Sequence, residues 1–286
     1  MSVAVPTESF ETLSKMAINA GSASDKGKAF YGLLRRITCP HCWYRFSPGQ
    51  MLWVSQHTDL RSDPVAGADA QRRFLPSRFT PNCQAIDSRG AACQELACPR
   101  CHLLIPRVLT RVEPHMLSMI GGPSSGKTWL LTSMIWQLRR DLPTKFQLHF
   151  NDADTLSNVM LNENEGKLFL AEDPNSLTIL LKTEEKAAGF YDQITLDGQA
   201  VQLPKPFFFA MSPAEGHAQH GEEGARRVIC LYDNAGESFQ PGHDSAQNPT
   251  TQHLARSRAL GPVVAAASGK TLRWACGRSN AKTANT

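Results

Sequence analysis

Eight consecutive residues constrain this chain more than any others: Gly121-Gly122-Pro123-Ser124-Ser125-Gly126-Lys127-Thr128 fits G-x-x-x-x-G-K-[ST] at every fixed position. Glycines let backbone N–H groups curl round a phosphate, and the helix that follows adds unpaired donors and the positive end of its dipole. Lys127 then reaches the β- and γ-phosphates, and the Thr128 hydroxyl is a ligand for Mg²⁺. The pattern needs a strand before it and a helix after it. His115-Met116-Leu117-Ser118-Met119-Ile120 supplies the first. Leu130, Leu131, Met134, Ile135 and Leu138 recur at helical spacing and supply the second, with Pro143 expected to stop the helix.

Two later apolar runs read as strands, Pro206 to Met211 and Arg227 to Tyr232. Short unbroken runs of this kind suit a buried sheet covered on both faces by helices, so the expected class is α/β. Directly after the second run stands Asp233-Asn234-Ala235-Gly236-Glu237. An aspartate at the end of a strand beside the loop can hold the water shell of Mg²⁺, and Gly236 can offer a backbone N–H to a γ-phosphate. Loss of that phosphate breaks the contact, which is how such a segment works as a switch. Glu237 can orient or deprotonate an attacking water, or it can be an ordinary solvated charge. For a first-switch threonine Thr183 is preferred, with Thr155 and Thr178 as competitors.

Upstream, Cys39-Pro40-His41-Cys42 and Cys98-Pro99-Arg100-Cys101 are two C-P-x-C knuckles. Two thiolates at that spacing grip one ion while turn N–H groups bond the sulfurs, and two knuckles make a Cys₄ zinc ribbon. The long segment between them is expected to protrude as an insertion. Cys83 and Cys93 lie in it and are read as free thiols, the alternative being a second ion held with His57 or His102. Cys230 reads as a core residue and Cys276 carries no assignment. Trp43, Tyr44, Arg45 and Phe46 follow the first knuckle and read as the ribbon's own small core, the alternative being base stacking on nucleic acid. Thirty Lys plus Arg against 26 Asp plus Glu leave a net charge of +4. That balance, without clustering, does not favour a polyanionic partner.

The apolar runs break well before the length of about 20 residues that crosses a bilayer, and no signal peptide is visible, so a cytoplasmic protein without a membrane partner is expected. The organisation reads as a leader over 1–36, a zinc ribbon over 37–108, a P-loop domain over 109–260 and an irregular tail over 261–286.

A C-P-x-C ribbon followed by Gly-Gly-Pro-x-Ser-Gly-Lys-Thr and then D-N-A-G-E resembles the second member of the bacterial double-GTPase families, over about Cys39 to Ser238. The resemblance implies a Ras-like fold, GTP, a partner GTPase and a place in a multi-gene conflict or anti-phage system. It carries over Cys39, Cys42, Cys98 and Cys101 to zinc, Gly121 to Thr128 to phosphate, and Asp233 to Gly236 to the second switch. An N/T-K-x-D motif for guanine is missing after Asp233, so ATP stays open beside GTP. Two other classes stay open as well: a zinc-ribbon adaptor with a degenerate nucleotide site, and an ATP-driven nucleic-acid enzyme. The composition of 261–286 suggests a disordered or out-of-frame tail, which would leave an incomplete Ras-like sheet with the P-loop strand at its edge.

Overall fold

The computed structural model describes residues 32–122, 125–171, 180, 191–196, 198–234 and 259–262. The chain is mixed α/β. Its largest sheet is built from β1 (Pro114–Ile120), β2 (Leu148–Asp152), β5 (Phe207–Pro213), β6 (Arg227–Asp233) and β7 (Ala259–Pro262); β3 (Tyr191–Leu196) and β4 (Gln199–Pro204) form a separate antiparallel hairpin. The order across the large sheet is β2-β5-β6-β1-β7. Strand β1 runs parallel to both of its neighbours, β6 and β7, whereas β5 is antiparallel to β6 and β2 antiparallel to β5.

The expected edge is therefore overturned: β1 is internal. Residues 117–120 of β1 pair with 259–262 of β7, and the intervening segment 234–258 exceeds the dozen or so residues that a parallel crossover needs. The rest of the tail, 263–286, lies outside the described residues.

Two helices follow the strand–loop pattern, α1 (Lys127–Phe146) and α2 (Thr155–Phe169). Pro143 does not stop α1 but sits inside its last turn. A proline there withholds one N–H from the carbonyl of Arg139, a smaller loss than in mid-helix because little helix remains to be kinked. The helix ends at Gln147, in the left-handed region at φ 53°, whose N–H reaches the carbonyl of Leu142.

Successive residues of a strand point to opposite faces, and in this sheet the two faces belong to two different cores. Met119, Phe207, Phe209 and Leu231 pack with Leu131 and Ile135 of α1 and Leu161 of α2. Met116, Phe208, Val228, Cys230 and Tyr232 pack instead with the cysteine module and with Ile194 and Leu203 of the β3–β4 hairpin. Helices were expected on both faces. Among the described residues they cover one, and the cysteine module with the hairpin covers the other.

A buried asparagine ties α2 to the sheet. Asn158 is fully buried; its amide donates to the carbonyl of Phe208 at 2.8 Å and to Asp152 Oδ1 at 2.7 Å, and its oxygen accepts the N–H of Phe208 at 2.8 Å. Arg139 from α1 meets the same carboxylate at 2.7 Å, and Glu165 at 3.3 Å.

In the cysteine module, part of the segment between the knuckles joins the module's own sheet. Leu52–Val54 pairs with Leu96–Ala97 immediately before the second knuckle and with Arg73–Phe74, inside a four-stranded antiparallel sheet. Trp53 drives this: it is 2% exposed, lies edge-on to Phe79 at 5.9 Å, and carries the Arg107 guanidinium over its ring at 5.1 Å. Two buried aspartates hold the loops. Asp63 accepts the N–H groups of Val65, Ala66 and Arg73, and Asp87 those of Gln56, His57, Arg89 and Ala91. Burial opposes ionisation of both, yet those donors outweigh it and hold both carboxyls below the ordinary range.

Asn158→Ala leaves both polar groups of Phe208 without their side-chain partner, so it should cost about 2–3 kcal/mol, read as a lower urea midpoint with unchanged m. Because the folded-state pKa values of Asp63 and Asp87 are depressed, their contribution is present above the unfolded value near 3.9 and fades as pH falls below it. Asp63→Asn and Asp87→Asn should therefore flatten the acid limb of a stability–pH curve and leave its neutral-to-alkaline slope alone.

Candidate metal centre and phosphate loop

The two knuckles adopt the same hydrogen-bonded turn. In the first, Trp43 N–H donates to the carbonyl of Cys39 at 3.1 Å, Cys39 N–H to that of Tyr44 at 3.0 Å, and His41 N–H to Cys39 Sγ at 3.4 Å. The second repeats this with His102 to Cys98 at 3.0 Å, Cys98 to Leu103 at 3.0 Å, and Arg100 to Cys98 Sγ at 3.4 Å. Trp43 and His102, each directly after its knuckle, take the left-handed backbone at φ 52° and 58°. The sequence places each pair of sulfurs at one turn, and the shared core brings the two turns together.

Cys39 Sγ lies 3.6 Å from Cys101 Sγ and Cys42 Sγ 3.7 Å from Cys98 Sγ, and all four sulfurs fall within 4.8 Å of one another. Zn–S bonds of about 2.3 Å in a tetrahedron put the sulfurs about 3.8 Å apart. All four residues are buried. Burial, reinforced by the neighbouring thiols, drives the Cys39 thiol well above its ordinary range, while hydrogen bonds from Cys101, Cys39 and Cys98 push the Cys42 thiol below it. Four buried thiols lose their protons together only when a cation takes their place, and this donor set, distance and burial fit a structural Zn²⁺.

Among the described residues, the other cysteines stand apart from that cluster. Cys83 and Cys93 are free; Cys93 is buried with its sulfur 3.6 Å from the carbonyl of Ala91. His102 is engaged by Asp63 at 2.7 Å, and His57 lies 3.7 Å from Asp59. Cys230 is buried in β6, where burial raises its thiol above the usual range. Of the aromatic run, Trp43 and Phe46 are buried while Tyr44 is exposed and stacked on Phe46 at 6.4 Å. Trp43 does not stay within the module: its ring lies 5.9 Å from that of Tyr232 in β6.

At the far end of β1, Gly121 and Gly122 lead into the loop. Gly126 takes φ 83° immediately before α1, a conformation that a side chain would strain. Lys127 is 6% exposed and folds back so that its ammonium donates to the carbonyls of Gly121 at 3.0 Å and Gly122 at 2.9 Å. The first turn of α1 carries no acidic residue, which keeps its positive end open to an anion. The Ser125 hydroxyl is buried without a hydrogen-bond partner.

The parallel register pairs Met119 of β1 with Asp233 of β6. That pairing brings Asp233 to α1, and Thr128 Oγ1 donates to Asp233 Oδ2 at 2.7 Å. Next to it Asn234, fully buried, donates to the carbonyl of Met119 at 3.2 Å, and its own amide oxygen has no hydrogen-bond partner. Thus Lys127, Thr128, Ser125 and Asp233 gather at one end of the sheet. Pro123, Ser124, Thr183, Gly236, Glu237 and Cys276 lie outside the described residues.

Residue-by-residue reading missed Asn234 and Tyr232. An asparagine after an aspartate and a tyrosine in an apolar run carry no periodic signal, and only the packing gives them partners. Among the described residues no helix is long and apolar enough to cross a membrane. Neither a family model nor a curated protein nor a solved structure matches the chain.

The purified chain should carry one zinc per molecule by plasma mass spectrometry. Cys39→Ser or Cys98→Ser should lose it, and a strong zinc chelator should lower the melting temperature of the wild type while leaving that of the serine variants unmoved.

Proposed function

We propose that the chain binds a Mg²⁺–nucleoside triphosphate at the loop 121–128 and hydrolyses its β,γ-bond slowly, as a switch. The observation that carries this reading is the 2.7 Å contact between Thr128 and Asp233. It sets a hydroxyl and a carboxylate, the hard oxygen donors that Mg²⁺ takes, beside a loop built for phosphate. The buried Ser125 hydroxyl and the acid-free first turn of α1 agree with an anion there. Lys127 spends its protons on the loop's own carbonyls, and on binding it exchanges them for phosphate oxygens.

The sheet supports a Ras-like reading in one respect: a strand from after Asp233, β7, lies beyond the P-loop strand. GTP is the favoured nucleotide through the resemblance to the double-GTPase families, and ATP is its competitor. The same resemblance motivates a partner GTPase and a role in a bacterial conflict system. The cysteine module serves as a structural support in this reading.

The test is a titration of the full chain with fluorescent GTP and ATP, each with and without Mg²⁺. Micromolar or tighter binding that strengthens with Mg²⁺ is expected, and equal affinity for di- and triphosphate together with no single-turnover hydrolysis would sink the switch. Lys127→Ala removes charge-assisted bonds worth about 1.5–3 kcal/mol and should weaken binding roughly 10- to 100-fold. Asp233→Asn should abolish the Mg²⁺ enhancement while leaving zinc content unchanged.

A further inference from the structure

Strand β6 carries two adjacent residues that face opposite ways, Asp233 toward Thr128 and Tyr232 toward the first cysteine knuckle. The Tyr232 hydroxyl donates to the backbone carbonyl of Pro40 at 2.5 Å and accepts from Trp43 Nε1 at 3.4 Å. Pro40 stands between the metal-site cysteines Cys39 and Cys42, and Trp43 follows directly. Both partners of the hydroxyl therefore belong to the turn that the metal would close. Tyr232 is fully buried, so water cannot replace either partner cheaply. On the other side of Asp233, Asn234 donates to the carbonyl of Met119. The carboxylate is thus held from both flanks, by the knuckle through residue 232 and by β1 through residue 234.

We infer that Tyr232 is a positioning residue through which the Cys₄ knuckle sets the Asp233 carboxylate for Mg²⁺, so that the metal state of the knuckle tunes Mg²⁺-dependent nucleotide affinity. This rests on the reading that Thr128 and Asp233 serve a Mg²⁺–nucleotide. A knuckle closed on its ion has one geometry for the Pro40 carbonyl. A knuckle without the ion frees that carbonyl and Trp43 to shift, and β6 shifts with them at its last two residues. Asp233 needs only a small displacement to lose its reach, because a metal–oxygen bond tolerates far less error than an apolar contact. The coupling runs both ways: a bound Mg²⁺–nucleotide that fixes Asp233 also makes zinc harder to extract.

The experiment compares the full-length wild type with Tyr232→Phe, which keeps the ring and removes the hydroxyl. Three quantities are read for each protein: zinc content, melting temperature, and affinity for the fluorescent nucleotide that the wild type binds, with and without Mg²⁺. The expected result is full zinc content, unchanged affinity without Mg²⁺, and a Mg²⁺ enhancement reduced on the order of tenfold. Partial zinc extraction from the wild type should reproduce the same selective loss, and saturating Mg²⁺–nucleotide should slow the extraction. A folded Tyr232→Phe protein whose Mg²⁺ enhancement equals that of the wild type overturns the coupling. So does one that loses affinity equally with and without Mg²⁺, since that marks a general structural effect. Trp43→Phe, which removes the indole donor and part of the ring it belongs to, makes the same comparison if Tyr232→Phe melts too low to assay. A wild type that binds no nucleotide overturns the underlying reading instead, and is distinguished by failing before any variant is compared.

Discussion

Four thiols gathered within 4.8 Å carry more of this structure than their number suggests. All but one of the cysteine module's strands are two or three residues long, and ladders of that length do not hold by themselves. The module's core is continuous with one face of the large sheet, where Ile37, Phe46 and Trp43 share a cluster with Met116, Phe208 and Tyr232. Fixing the two knuckles at one point therefore fixes the cover of that face. A zinc site of this kind contributes folding free energy directly, because the unfolded chain offers no preformed site.

The large sheet then works as a partition between two chemistries. On one side, α1 and α2 supply an apolar layer around Leu131, Ile135 and Leu161, edged by the polar network of Arg139, Asp152, Asn158 and Glu165. On the other side lie the sulfurs. Strand β6 is the wall between them, and its period of two sends Val228, Cys230 and Tyr232 one way and Leu231 and Asp233 the other. A strand whose two faces are both specified tolerates no register slip, since a shift by one residue would drive Asp233 into the apolar cluster and Tyr232 toward the loop 121–128. The polar pairs Tyr232–Pro40 and Asn234–Met119 reinforce the same register with directional bonds.

Much of the local structure was legible in the sequence. The G-x-x-x-x-G-K-T run, its flanking strand and helix, the strand ending at Asp233, and the two C-P-x-C turns each follow from a few neighbouring residues, because turn geometry, backbone donors and short apolar periods are local properties. Pro143 was misread as a stop because a proline in the last turn costs little. The strands between the knuckles were not legible, because they are too short to show a period, and Trp53 gives no sign in the sequence of what it packs against.

The sequence by itself determined where the glycine-rich loop lies and which sulfurs can share an ion, since those properties are set by side-chain chemistry and spacing over four to eight positions. Only the tertiary structure decided where these groups meet. Parallel pairing of β1 with β6 put Asp233 beside Thr128, β7 closed the side of β1 that the composition of the tail had left open, and the cysteine module took a face that helices were expected to cover. Each of these is a contact between segments far apart in the chain. Such contacts are selected by the summed burial of whole faces, a quantity that no short window of residues contains.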